Sequence, residues 1–171
     1  MSTRQSWNTR AENPAEHAIV HAITLAAFDT PLEAGIVEAL RTDPGWIDGL
    51  SLVAVDTTDT PIAHALLTRN HIGDTEALCL GPVSVLPRYQ RSGAGSAVVR
   101  AALETAVAHG ERFVTVLGHP EYYPRFGFTR ASLHGIRMSV EVPDEALMAM
   151  ALRPGDTLPS GVIRYAGPLE G

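Results

Sequence analysis

The sequence predicts one α/β domain built on a mixed sheet with helices on both faces. Three observations point there. The chain has 171 residues, enough for a single domain with one sizeable core. Two runs rich in branched apolar residues, 50–56 and 61–70, flank the polar turn 57–60 and read as a hairpin. A strand–helix–strand succession then follows over 75–86, 93–109 and 113–117.

Each element has a local reason. Residues 14–28 carry Ile19, Ile23 and Ala26 or Ala27 at helical spacing, so they predict an amphipathic helix. Thr30 can cap a second helix and Pro31 suits its first turn. Leu32, Ile36 and Leu40 supply its stripe. Asp43-Pro44-Gly45 is a turn. In the third strand, 75–86, Pro82 cannot donate a ladder hydrogen bond, so a bulge or an unpaired stretch is expected there. The main helix, 93–109, has Gly110 placed to close it. Residues 113–117 form a short buried strand, and 118–125 a loop with a short helix. Ile136, Met138, Val140 and Val142 alternate with Arg137, Ser139 and Glu141, the pattern of a half-buried strand. Residues 146–152 read as a further strand. The tail holds Pro154, Pro159, Pro168 and several glycines, and is expected to be mostly loop. No repeat, low-complexity tract or linker interrupts the chain, so residues 1–171 are taken as one domain.

Composition narrows the function. Apolar residues make up 45% and charged residues 19%, as in soluble globular proteins. No apolar run approaches the ~20 residues that span a bilayer. Residues 1–10 are polar and lack a signal-peptide core. The single cysteine, Cys79, cannot form an internal disulfide. A cytoplasmic protein without membrane attachment is the expectation. Thirteen basic against nineteen acidic residues give a net charge of −6. That balance argues against general nucleic-acid binding, which needs a basic face. It is compatible with a cationic small-molecule substrate, and equally with plain solubility.

The most informative stretch is Gln90-Arg91-Ser92-Gly93-Ala94-Gly95, at the junction of the third strand and the main helix. A helix N-terminus offers unpaired N–H groups to an anion. Two glycines let a phosphate approach the backbone. A dinucleotide fingerprint would need a third glycine or alanine where Val98 stands. A P-loop would need Gly-Lys-Ser/Thr, which is absent. The stretch matches Gln/Arg-x-x-Gly-x-Gly/Ala and resembles the pyrophosphate loop of the GNAT superfamily of acyl-CoA-dependent N-acyltransferases. Three further features stand in the right order. Val83-Ser84-Val85 precedes it, a helix of about four and a half turns follows, and Tyr123-Pro124-Arg125-Phe126-Gly127-Phe128 looks like the family's Tyr-x-x-x-Gly-Phe segment. Leu80-Gly81-Pro82, residues 118–128 and Val142-Pro143-Asp144-Glu145-Ala146 look like the YhbS-like branch.

The resemblance implies a GNAT fold: a mostly antiparallel sheet splayed at a cofactor cleft. It implies direct transfer of an acetyl group from acetyl-CoA to a primary amine, without a metal. Gln90, Arg91, Ser92, Gly93, Ala94, Gly95 and Ser96 would wrap the pyrophosphate, helped by the helix dipole. The Val83-Ser84-Val85 segment would pair with the pantetheine arm like an added strand, through the backbone of Val83 and Val85. Arg88 or Arg91 would meet the remaining phosphate, or else stay solvated. Dimerisation is common in the superfamily, and no feature here requires it.

Amine attack on a thioester sets three tasks. An alkylamine with a pKa near 10.4 is neutral only about once in 10³–10⁴ at pH 7, roughly 4–5 kcal/mol if nothing assists. A general base is therefore expected. The resemblance assigns the oxyanion donor to the Val83 amide or a neighbour. It assigns the acid that protonates the departing thiolate to Tyr123, whose alternative is packing against the cofactor. Tyr122 reads as core or pocket wall. Histone-acetylating members carry a glutamate six residues before the second valine of the pantetheine segment. Cys79 stands there and reads as a small buried hydrophobe. Substitutes are His119, Glu76 and Glu121. Imidazole has the best intrinsic pKa for the role, so His119 leads, with a plain loop residue as its alternative. His17 and His21 lie four apart without further ligands and read as a surface pair. Trp46 reads as a packing residue or as acceptor-pocket wall. The competing functions are a non-catalytic acyl-CoA-binding module and a toxin-like enzyme that acetylates aminoacyl-tRNA. The acidic balance argues against the latter.

Overall fold

In the computed structural model the described residues are 6–169. The first five residues of the polar N-terminal stretch and the last two of the tail lie outside them. A nine-stranded sheet forms the centre. Its path runs β1 (Asn8–Ala11), β2 (Ser51–Val55), β3 (Pro61–Ile72), β4 (Thr75–Val85), β5 (Phe113–Leu117), then β8 (Leu147–Ala151) and β6 (Thr129–Arg130). Off this path, β9 (Gly161–Arg164) pairs with the end of β3, and β7 (Ile136–Arg137) pairs with β9. Only the β4–β5 and β7–β9 pairs are parallel. The sheet is thus mixed and mostly antiparallel, as predicted.

Period-two alternation in β2 sends side chains to both faces. Leu52 and Ala54 join Val98, Val99 and Ala102 of α3 (Ala94–Ala108) in the main core. Val53 and Val55 meet Val20 of α1 (His17–Ala27) on the other face. Leu66 of β3 packs there on Val37 and Leu40 of α2 (Leu32–Leu40). Helices therefore cover both faces.

The caps of α2 and α3 fall at or beside their expected places. α2 starts one residue later than expected: Pro31 is the N-cap, its carbonyl accepting the Gly35 N–H at 3.0 Å, and Thr30 Oγ1 accepts the Leu32 N–H at 3.3 Å from outside the cap position. Gly110 closes α3: its N–H donates to Val107 O and the Glu111 N–H donates to Ala106 O, both at 3.0 Å.

Others need correction. The buried row of α1 is Val20, Ile23 and Thr24, while Ile19 is exposed and neither Ala26 nor Ala27 is buried. The row of α2 is Ala34, Val37 and Leu40, with Leu32 65% exposed. Ile23 and Leu40 are buried as expected and Ile36 packs at the edge of its cluster, so each expected stripe shares a position with the observed row, and docking onto the sheet set the rest. Residues 136–142 form a ladder only at Ile136–Arg137. Met138 and Val142 still pack on the core, but Val140 is 60% exposed, so the alternation breaks once the partner strand ends. The tail is mostly loop, as expected, and the four-residue β9 ties it to β3. β1 carries the polar sequence Asn-Thr-Arg-Ala at the sheet edge and has no hydrophobic pattern to reveal it.

Candidate active site

The site begins where β4 parts from β5. The two strands pair only from Leu78 to Leu80, against Val114 to Val116. Beyond that β4 runs on to Val85 while β5 ends at Leu117. Along β3, Ala65 faces Val83 and Leu67 faces Leu80, so Gly81 and Pro82 together oppose Leu66. This is the bulge that Pro82 demands. Past it the Leu86 N–H donates to Ile62 O at 2.9 Å. Backbone groups two residues apart point the same way, so Ser84 also faces β3 while Val83 and Val85 turn theirs to the open edge. The Gln90 side-chain amide already uses that edge, donating to Val85 O at 3.3 Å.

The chain then enters α3 through a tight turn. Arg91 and Gly93 both have positive φ, 63° and 87°. The first helical bond is from Ala97 N–H to Gly93 O, 2.9 Å, and no side chain caps the helix. The N–H groups of Ala94, Gly95 and Ser96 therefore have no intrahelical acceptor. Nothing lies within 4 Å of where a Cβ on Gly93 would stand, so the approach to this nest is open. The loop is held from behind. Ser92 Oγ donates to Tyr89 O, and Ser92 O accepts the Trp7 indole N–H at 3.1 Å. The Trp7 ring stands edge-on to Tyr89 at 5.5 Å. An open strand edge leading to an uncapped helix N-terminus suits an extended ligand that ends in phosphates. Arg88 and Arg91 are exposed beside it, Arg88 stacking on Tyr89.

Across the gap, residues 123–126 make a 3-10 turn that Gly127 ends at φ +107°. The turn stacks Tyr122, Tyr123 and Phe126 with Phe128 in an aromatic cluster. Tyr122 Oη lies 2.9 Å from Ser96 Oγ, which links this cluster to the start of α3. The Tyr123 ring lies against Gly118, where any Cβ would overlap it. Burial, with the nearby Tyr122 and Cys79 adding, raises the Tyr123 phenol to about 12. It is a protonated donor at neutral pH.

A cleft of about 430 Å³ lies between the splayed β4 and the tyrosine turn. Val83, Cys79, Gly118, His119 and Tyr123 line it together. Burial pushes the Cys79 thiol up to about 12, so it is no thiolate. Of the alternative bases, only His119 lines the cleft. Glu76 is exposed and pairs with Arg69 Nε at 3.4 Å, and Glu121 lines a separate hollow. Trp46 is not cleft wall: it packs by the α2–Leu66 cluster, under the Arg41 guanidinium. His21 faces Glu38 of α2, at 3.5 Å. Among the described residues no helix is long and apolar enough to cross a membrane.

Sequence reasoning missed the remaining wall: Phe28, Glu33, Met138, Tyr165 and Leu169. Thr30 and Glu33 have capping-box spacing, which places Glu33 in the first turn of α2. Nothing local shows that it looks into the cleft. Tyr165 and Leu169 lie in a segment whose prolines and glycines hide its strand.

The acetyltransferase (GNAT) family model matches residues 19–128. The N-acetyltransferase YjhQ of Escherichia coli is 31% identical over 159 residues, covering 88% of this chain and 87% of its own. YhbS of the same organism is 29% identical over 130 residues, 75% of this chain and 77% of its own. The crystal structure of E. coli YhbS, a complex with CoA, superposes with a TM-score of 0.88 at 23% identity, over 100% of this chain and 97% of that one. A GNAT acetyltransferase of Brucella melitensis, solved with acetyl-CoA, gives 0.78 at 29% identity, over 96% and 98%. The splayed strand, the glycine turn and the tyrosine turn thus stand in a chain that belongs to the GNAT family of acetyltransferases.

Proposed function

We propose that the protein is an N-acetyltransferase that moves an acetyl group directly from acetyl-CoA to a primary amine. The observation that carries this is the conjunction of three parts: the open edge of β4 past Leu80, the uncapped start of α3 that the Tyr122–Ser96 bond ties to the tyrosine turn, and the half-buried Tyr123 phenol that shares a cleft with Val83 and Gly118. The kinship with YjhQ and with the acetyl-CoA-bound Brucella enzyme supports it.

Acetyl-CoA supplies the activated acyl group and the thiol leaving group. The N–H groups from Arg91 to Ser96 bind its pyrophosphate, the Gln90 N–H being spent on Pro87 O at 3.3 Å, and the helix dipole adds to the attraction. Val83 and Val85 pair with the extended arm as a neighbouring strand would. The Val83 N–H donates to the carbonyl oxygen as negative charge grows there. The amine nitrogen bonds to the acyl carbon as the C–S bond breaks. Tyr123 gives its proton to the leaving sulfur, and the proton of the amine departs through His119 to solvent.

Thiol release from acetyl-CoA with a panel of primary amines tests the reading. Tyr123→Phe should lower kcat by about 10²-fold or more and leave the acetyl-CoA Kd unchanged. Tight acetyl-CoA binding without thiol release on any amine would favour the non-catalytic module instead.

A further inference from the structure

We propose that the acceptor is a small primary amine with an apolar or aromatic body and no anionic group, and that Glu33 selects it by charge. This deepens the N-acetyltransferase reading and rests on it. Among the described residues lining the cleft, Glu33 is the only carboxylate, and no arginine or lysine joins it. Phe28, Met138, Tyr165 and Leu169 form the wall around it. They come from the end of α1, the extended segment after β7 and the tail. None belongs to the glycine turn or the tyrosine turn, so this wall is free to serve the acceptor.

The chemistry follows from that lining. An amine arrives mostly as an ammonium ion. A carboxylate beside apolar side chains attracts it more strongly than one in open water, because the local dielectric is lower. Glu33 is half-buried in the first turn of α2, and Thr30 Oγ1 donates to its Oε2 at 3.1 Å. The charge is thereby oriented rather than free to wander. A substrate bearing a carboxylate or phosphate would meet the opposite situation. Its anion would be desolvated against apolar walls with no arginine or lysine to pair with, His119 being engaged as the exit for the amine's proton, and Glu33 would repel it. The cleft thus selects for the amine and against amino acids and phosphorylated amines. The volume of about 430 Å³ suits a small molecule.

Tyramine and tyrosine make the test, since they share the ring and the primary amine and differ by one carboxylate. Steady-state thiol release gives kcat/KM for each. The wild type should favour tyramine at least about tenfold. Glu33→Gln keeps the acceptor for Thr30 and should raise the tyramine KM about three- to tenfold with little change in kcat. It should also narrow the preference over tyrosine. Glu33→Asp, which retains the charge, should recover part of the loss, and a melting curve for each variant separates this effect from misfolding. Equal use of tyrosine and tyramine, or an unchanged tyramine KM in Glu33→Gln, overturns the substrate class while leaving the acetyltransferase intact. Turnover confined to amines that carry a carboxylate or phosphate does the same. No thiol release with any amine, despite acetyl-CoA binding, overturns the N-acetyltransferase reading and this proposal with it.

Discussion

A phenol buried among aromatic rings is a poor base and a reliable proton donor. Tyr123 sits in that state, its rings of contact being Tyr122 and Phe128. Its proton is lost only as pH rises through about 12. The rate should therefore climb with pH as the amine deprotonates, and Tyr123 should impose no alkaline fall at roughly pH 8 to 10. A falling limb in that range, absent from Tyr123→Phe, would show the phenol titrating there and overturn its raised pKa, while an unchanged kcat in Tyr123→Phe would overturn its role as the acid. Gly118 is the companion residue. A Cβ there overlaps the Tyr123 ring, so Gly118→Ala should displace the phenol. The expected result is a kcat lowered by about tenfold to a hundredfold with a nearly unchanged melting temperature. Tyr123 was legible from its motif. The contact with Gly118 was not, because it forms only when the turn folds back over the end of β5.

The element that matters most is the start of α3. Gly93 adopts φ +87° in open space, so alanine there is opposed by the backbone rather than by a neighbour. Gly93→Ala should cost about 1–2 kcal/mol of stability. It should also weaken acetyl-CoA about tenfold, because the N–H groups of the turn move with it; titration calorimetry reads both affinity and enthalpy. The turn, the cap at Gly110 and the bulge at Pro82 were all readable, since each depends on a few adjacent residues. Helix phase was not. Val20 rather than Ile19 faces the sheet because Val53 and Val55 lie opposite it, and those residues are more than thirty positions away. The strand expected through 142 stops at Arg137 for a similar reason, as β9 offers a partner for two residues only.

At the scale of the molecule, one buried polar chain ties the helical face to the sheet. Arg41, at the C-cap of α2, holds both oxygens of Glu12, at 2.9 and 2.7 Å. Ser51 Oγ donates to Glu12 Oε1 at 2.7 Å and accepts from His64 Nε2, also 2.7 Å away. The Arg41 and Glu12 side chains are 8% and 3% exposed, so neither tolerates the loss of its partner. Arg41→Ala should destabilise the fold by about 3–5 kcal/mol in urea unfolding. His64 is fully buried, and burial, with the charge of Arg41 adding and Glu12 opposing, depresses it to about 4. Its folded pKa lies below its unfolded value near 6.5. The stability it contributes is therefore present above about pH 6.5 and lost as pH falls towards 4, on the order of 3 kcal/mol. Glu12, whose carboxyl is also held below its usual range by Arg41 and Ser51, loses stability in the same direction. Urea unfolding at pH 7 and pH 4.5 checks this, and equal free energies would count against it.

By itself the sequence determined the cofactor half of the protein: the strand that bulges at Pro82, the glycine turn, α3 and the tyrosine turn. Those features are local, set by φ preferences, missing N–H donors and neighbouring N–H groups. Tertiary structure alone decided the half of the cleft proposed for the acceptor. Phe28 and Glu33, Met138, and Tyr165 and Leu169 come from three separated stretches of the chain and meet only in the folded molecule. Burial on a shared face is a long-range property, and no short window of residues encodes it.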